Sequence, residues 1–516
     1  MAKAAGPTVQ LGSCTVIGVS KPASEERPRA LDVFFDIPYA TAQRFERPEP
    51  AVLPEGILDA TEPGEGCPAL GAPGDEDCLR VNITRPAQAA AGCPVLVYVH
   101  GGAFNFGHPL ERDMEHVVAW SREDIVGVSV AYRLGVLGFP GGEEACNLGL
   151  RDQAVALAWV GRWIAAFGGD GERMTVVGAS AGAHSVGHHL LSPSPPPFHK
   201  AILESGSPTA RSVLSPAHPR PAAQFAQLLH HAGCASLADL KAVPLARLLD
   251  AAARVWARYE PSVEWPFQPV VDGDVIPEGP VRLWERRLAD GRARGMCVVT
   301  GFCSHEGISF VPVAGDFRAF FATLIPSLTL ADFATLEALY PASQTTQFRR
   351  LAAAYGDFAY IAPVLHTAHV LSRAGARVYV YEYAEASAPY DAAMHGAQGP
   401  AMERDGSVRA DLAAAVHGRM TQFVSSPEGD MGGAWPAFVS PGEGEGRILV
   451  FGAAGDDGIV PVQERVLGEE EMRRMRFWWE RMELGFVEEV AEHSFRHLNK
   501  RLVNQDENAQ TGPVQA

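Results

Sequence analysis

With 516 residues, 47% of them hydrophobic, the chain has the material for a large core, which excludes wholesale disorder. Its 61 acidic against 43 basic residues give a net charge of −18, which argues against nucleic acid or an anionic membrane as partner. No apolar run reaches the length of a membrane span, and eight cysteines in a chain this long do not make a disulfide scaffold. The stretch Met1 to Gln10 lacks the apolar segment of a signal peptide, so the chain as numbered is expected in the cytoplasm, with a secreted mature form left open.

Alternation in Thr8–Leu11 and Thr15–Gly18 predicts an edge hairpin, and Val33 to Ala40 a strand that leaves into an extended loop. Cys67 and Cys78 bracket a stretch rich in Gly, Pro and Ala. Paired, they close a small Ω-like loop; the alternative is two free thiols. The unbroken apolar run Val95–Val99 reads as a fully buried strand of a parallel sheet. It empties into His100-Gly101-Gly102-Ala103-Phe104, where glycines free backbone N–H groups to face a cavity. Ile125–Val130 is a second buried strand, and Asn147–Phe167 is helical, with Ala154, Leu157, Ala158 and Trp159 on one face.

Met174–Val177 then turns through Gly178-Ala179-Ser180-Ala181-Gly182 into a helix. G-x-S-x-G at a strand-to-helix turn is a nucleophile elbow: the serine stands exposed on a strained turn, and the glycines let strand and helix pass closely. The N–H of Ala181, at the new helix's start, points to where an oxyanion would form, beside those of Gly101 and Gly102. In a chain with 52 glycines the motif alone is weak, and its context carries the argument. Strand, HGG loop, strand, helix, strand, elbow and helix form the order of a doubly wound α/β sheet.

These pieces resemble the type-B carboxylesterase/lipase family, which includes the cholinesterases. The resemblance rests on Ile37-Pro38-Tyr39-Ala40 with Arg44-Phe45, Glu76-Asp77-Cys78-Leu79, His100-Gly101-Gly102 and Asn147 to Gln153 with Ala156 to Val160. Phe167-Gly168-Gly169-Asp170 running into the elbow, Glu204-Ser205-Gly206 and Trp435-Pro436 extend it, so that it covers most of residues 8–490. It implies an α/β-hydrolase fold: a central, mostly parallel, doubly wound sheet with helical insertions over the active site. One domain would span residues 1–502, with a polar, disordered tail at 503–516.

The resemblance also implies a Ser-Glu-His triad. Ser180 is the nucleophile. Glu306, in Gly301 to Gly307, matches the acid, and His395, in Met394-His395-Gly396-Ala397, matches the base. Both follow predicted buried strands, where sheets of this class gather their functional groups. Ser205 resembles the family's serine near the acid; a plain strand-end hydroxyl is the alternative. A rival acid and base lie near the carboxyl terminus, Asp456 or Asp457 with His493 or His497, but no buried strand precedes those histidines.

Three departures stand out: Ala179 where the family usually has Glu, Asp36 where Gly usually precedes Ile-Pro-Tyr, and Gln398 in place of an acidic residue. Cys234 resembles half of a second disulfide whose partner is missing between Leu237 and Pro244, so a free, buried thiol is expected. The Cys67–Cys78 loop holds no tryptophan and is short, which predicts neither a cation-binding aromatic site nor a lipid lid there. His184 and His188 have metal-ligand spacing but no carboxylate or cysteine partner, so no metal and no cofactor are expected. The sequon at Asn82 lies inside a predicted strand and is expected to go unused. Helical segments in 208–290 and 310–375, such as Ala222–Ala232 and Phe348–Tyr355, would wall a pocket. Phe104 and Phe310 are its first candidate contacts, with Phe106, Trp265 and Phe267 behind them. Aromatics in Met472–Glu480 suit core packing.

The expected function is a serine carboxylic-ester hydrolase working through an acyl-enzyme on small to medium neutral esters, aryl esters or lactones included. Its partner would be the small-molecule ester, with no nucleic acid or membrane, on a monomer or homodimer. The alternatives are a lipase, or a non-catalytic adhesion or scaffold member of the family, which loss of the serine or histidine would mark.

Overall fold

The computed structural model describes residues 6–482, apart from 73, 211, 212, 456 and 457 and the side chain of Leu288. The 503–516 tail and the rival residues Asp456, Asp457, His493 and His497 lie outside the described residues.

An eleven-stranded sheet organises the chain. Its strands in chain order are β1 (Val19–Lys21), β2 (Leu31–Pro38), β3 (Arg80–Pro86), β4 (Cys93–Val99), β5 (Val126–Val130), β6 (Gly169–Ala179), β7 (Lys200–Glu204), β8 (Cys297–Cys303), β9 (Arg377–Tyr383), β10 (Arg447–Gly455) and β11 (Gly458–Val466). In space they run β11-β10-β9-β8-β7-β6-β4-β5-β3-β2-β1. From β4 to β10 neighbouring strands are parallel, and antiparallel pairs close both edges. The expected amino-terminal hairpin, Thr8–Leu11 with Cys14–Ile17, forms a separate small sheet with Gly56–Asp59.

The apolar runs of the central strands follow from burial on both faces. In β4, Val95, Val97 and Val99 enter the core on one face, while Leu96 and Tyr98 enter the core on the other. Each buried Val or Leu contributes about 1.5–3 kcal/mol, so the central strands anchor the loops at their ends. Helices α1 (Leu148–Trp163) and α2 (Ala181–Leu191) pack on this sheet. The insertions supply α3 (Pro219–Ala232), α4 (Leu245–Tyr259), α5 (Gln347–Gly356) and α6 (Ala362–Arg373), and α7 (Ala410–Ser425) and α8 (Glu469–Trp479) follow. In α8, Phe477 and Trp478 are buried, and Trp479 Nε1 donates to the Ala362 carbonyl of α6 at 2.8 Å, so these aromatics are core. Among the described residues no helix is long and apolar enough to cross a membrane.

Several sequence details acquire causes here. Asp36 has φ 55° beside an irregularity in the β2–β3 register, a left-handed position where glycine is the easier residue. Asn82 is buried in β3, its side chain bonded to Ser129 Oγ and the Asp36 N–H, so the sequon is occupied by structural hydrogen bonds. Cys67 and Cys78 form a disulfide with Cα atoms 4.9 Å apart. Cys234 is a free thiol, half-buried rather than buried.

Candidate active site

The elbow is built by close approach. Ser180 sits between β6 and α2 at φ 53°, ψ −120°. A side chain on Gly178 would collide with Gly182, and one on Gly182 with the Val99 carbonyl at the end of β4. That crowding is the physical reason for the spacing of the two glycines around the serine. The Ser180 N–H donates to the Glu204 carbonyl at 2.8 Å, which pins the elbow to β7. Glu204 is itself fixed: its carboxylate accepts from Arg112 Nη2 at 2.5 Å, and that guanidinium lies 4.8 Å over the Tyr98 ring.

Strand β4 delivers the glycine loop to the same place. Gly101 passes under the elbow so tightly that a Cβ would sit 2.7 Å from the Ala179 carbonyl and 3.2 Å from Ser180 Cβ. Gly102, Ala103 and Phe104 then take positive φ values of 101°, 53° and 62° in succession. Asn105 Nδ2 and Gln268 Nε2 each donate to the Ala103 carbonyl at 2.8 Å and hold the curl. Gly102 and Ala103 line a cavity with Ser180, and Gly101 does not. Among the described residues the amides of Gly102, Ala103 and Ala181 donate to no protein acceptor. Sequence reasoning missed Ala103, because only glycine advertises left-handed backbone. His100, beneath the loop, stacks on Tyr132 with ring centroids 4.5 Å apart, and burial lowers its pKa to about 4, so it is neutral.

Loops after β8 and β9 bring the other two groups. The His305 N–H donates to the Ala393 carbonyl at 3.0 Å, and His305 bridges Met394, which ties the loops together. Glu306 is fully buried. Its Oε1 accepts from the Cys303 N–H at 2.7 Å and its Oε2 from His395 Nδ1 at 2.5 Å. Since Nδ1 donates to the carboxylate, Nε2 of the neutral ring is the acceptor. Nε2 is buried without a hydrogen-bond partner, and His395 and Ser180 line one cavity. The imidazole is clamped by Tyr360 and Phe310, at ring distances of 4.4 and 5.1 Å.

That cavity measures about 380 Å³. An aromatic wall runs from the glycine loop to His395: Phe106 to Trp256 at 5.0 Å, Trp256 to Trp265 at 5.8 Å, Trp265 to Phe310 at 5.4 Å. Of the expected contacts, Phe310, Phe106 and Trp265 line it. Phe104 does not: it is buried against Phe139 and lines an adjoining cavity with Phe267. Trp256, on α4, was missed, since its place depends on how the insertion folds back.

Of the three departures, Gln398 joins a neutral network with Ser205 and Cys303. Gln398 Nε2 donates to Ser205 Oγ at 3.1 Å, and the Cys303 thiol donates to Gln398 Oε1 at 2.8 Å. Burial pushes the Cys303 thiol pKa well up, so it stays protonated. Ser205 therefore faces Gln398 and Cys303, and the Cys303 N–H in turn bonds Glu306.

The model of the carboxylesterase family matches residues 5–424. The chain belongs to that family. It is 28% identical to secreted lipase 4 of Gibberella zeae, over 88% of this chain and 89% of that protein. It is 33% identical to the para-nitrobenzyl esterase of Bacillus subtilis, over 70% of this chain and 77% of that one. The solved structure titled PNB esterase superposes with a TM-score of 0.77 at 28% identity, covering 91% of this chain and 99% of that one. The chain is thus an ester-hydrolysing enzyme with the α/β-hydrolase fold, and a small-molecule ester is its substrate.

Proposed function

We propose that this carboxylesterase cleaves small to medium neutral esters through an acyl-enzyme on Ser180. One observation carries the reading: Nδ1 of His395 is committed to the buried Glu306 carboxylate, while its unpartnered Nε2 belongs to the cavity that holds Ser180. A base held in this tautomer takes the Ser180 hydroxyl proton as Oγ attacks the ester carbonyl. Glu306 stabilises the imidazolium that results. The amides of Gly102, Ala103 and Ala181 receive the oxyanion, in place of the Gly101 amide that spacing alone suggested. Collapse of the tetrahedral intermediate sends the proton from Nε2 to the leaving alcohol. A water activated by the same nitrogen then releases the acid and restores Ser180.

The aromatic wall favours aryl or benzylic ester groups, in keeping with the substrate named for the para-nitrobenzyl relative. The short, disulfide-closed loop at Cys67–Cys78 gives no lid of the kind a lipase uses at an oil surface. A non-catalytic role loses ground because serine, acid and base are all present and two of them are bonded. A panel of nitrophenyl esters, lactones and choline esters tests the reading. Turnover of soluble neutral esters, with butyryl esters of neutral alcohols at least equal to butyrylcholine, is expected. A strong preference for the choline ester would overturn the neutral-ester assignment, and no turnover of any ester would overturn the mechanism.

A further inference from the structure

A second cavity of about 90 Å³ adjoins the one that holds Ser180. Val263 and Trp265 line both and form the partition. Val263 stands at φ 53°, a conformation β-branched residues rarely adopt, and such strain gathers at ligand sites. Phe104, Phe225, Phe267 and Leu324 make much of the lining apolar. An apolar cavity of about 150 Å³ takes a benzene ring, so this one suits a chain of about three or four heavy atoms.

Several polar groups around it are satisfied. Arg220 Nε pairs with Glu264 at 3.0 Å, Gln224 Nε2 donates to the Glu264 carbonyl at 2.8 Å, and His184 Nδ1 accepts from the Ser207 N–H at 3.0 Å. His188 lies one turn further along α2, is 4% exposed and lines the cavity. Its Nδ1 is buried without a hydrogen-bond partner. Burial holds its pKa down at about 3, so it offers a neutral donor and acceptor. A buried polar group left unpaired costs free energy, and native structures rarely leave one so without a use.

We propose that this side cavity takes the end of the substrate's acyl chain, and that His188 selects chains carrying a neutral oxygen there, as hydroxyl, ether or ketone. The inference rests on Ser180 being the nucleophile. The acyl part is assigned because the leaving alcohol must stay within reach of His395, on the Phe310 side. The side cavity instead borders Phe104, which directly follows the curl of Gly102 and Ala103. An anionic chain end is disfavoured, since the imidazole is uncharged and Arg220 already has its carboxylate.

The experiment measures kcat/KM of the whole protein on nitrophenyl hexanoate and on chains of equal length with one methylene replaced by oxygen at each successive position. At least one ether should exceed hexanoate by about tenfold, as expected for one hydrogen bond to an otherwise unpaired buried group. That ratio should fall below about twofold in His188→Leu and survive in part in His188→Gln. No favoured ether in the wild type, or the same ratio in His188→Leu, overturns the proposal. So does an equal preference when the ether lies in the alcohol part, a wild-type comparison that stands even if His188→Leu does not fold. Nitrophenyl acetate, too short to reach the side cavity, separates the two claims: its turnover with no ether preference sinks this inference alone, and its inertness sinks the Ser180 reading.

Discussion

Replacing Glu306 by Gln tests what the buried carboxylate does. Both oxygens are committed, Oε1 to the Cys303 N–H and Oε2 to His395 Nδ1–H, and no solvent reaches either. An amide cannot accept at both places. If its NH₂ faces His395, Nδ1 must become the acceptor; the ring then carries its proton on Nε2 and cannot take one from Ser180. If its NH₂ faces Cys303 instead, two donors meet in a buried space, which costs about 1–3 kcal/mol of stability. Either way the imidazolium loses its counter-charge. Loss of tautomer control in such triads costs on the order of 10²–10⁴ in turnover, or about 3–5 kcal/mol of barrier. The assay is kcat/KM on a neutral nitrophenyl ester from pH 6 to 10, with chemical denaturation run beside it. A folded Glu306→Gln enzyme within tenfold of wild type across that range would refute the reasoning.

Three further outcomes are expected. Substitutions at Asp456, Asp457, His493 and His497 should leave turnover within about twofold, while His395→Ala nearly abolishes it; the opposite pattern would move the acid and base to the carboxyl terminus. Glu403 is the second carboxylate on Arg112, whose Nη2 already serves Glu204, and burial raises its pKa to about 7. A pKa raised on folding gives stability that is full below the unfolded value near 4.5 and lost as pH rises through 7. Glu403→Gln should therefore unfold much like wild type at pH 4.5 and be the more stable protein at pH 8, by on the order of 2–3 kcal/mol; an equal change at both pH values would contradict this. The Cys67–Cys78 disulfide should add about 2–3 kcal/mol, so Cys67→Ser/Cys78→Ser should unfold at lower denaturant, and an unchanged midpoint would contradict that.

What could be read in the sequence was what local chemistry encodes. The all-apolar run Val95–Val99 announces burial on both faces, and the elbow announces itself because only glycine permits the approaches at 178 and 182. Glu306 and His395 came from the family resemblance, and the expectation that each follows a buried strand agrees with β8 and β9. The misses share a different cause. Ala103 takes a left-handed conformation held by the side-chain amides of Asn105 and Gln268, the latter far away in the chain. Phe104 looks like a neighbour of the serine in sequence, yet the curl of Gly102 and Ala103 turns it into the second cavity. Trp256 reaches the site only after the insertion folds over the sheet. Tertiary packing decides such residues, and local pattern does not carry it.

Ser180 Oγ is the proposed attacking atom. Reaction with a small organophosphate, followed by peptide mapping, tests it most directly. One phosphoryl group on Ser180, appearing as esterase activity disappears and absent from Ser180→Ala, is the predicted result. Loss of activity with the label on any other residue, or an active Ser180→Ala enzyme, would contradict it.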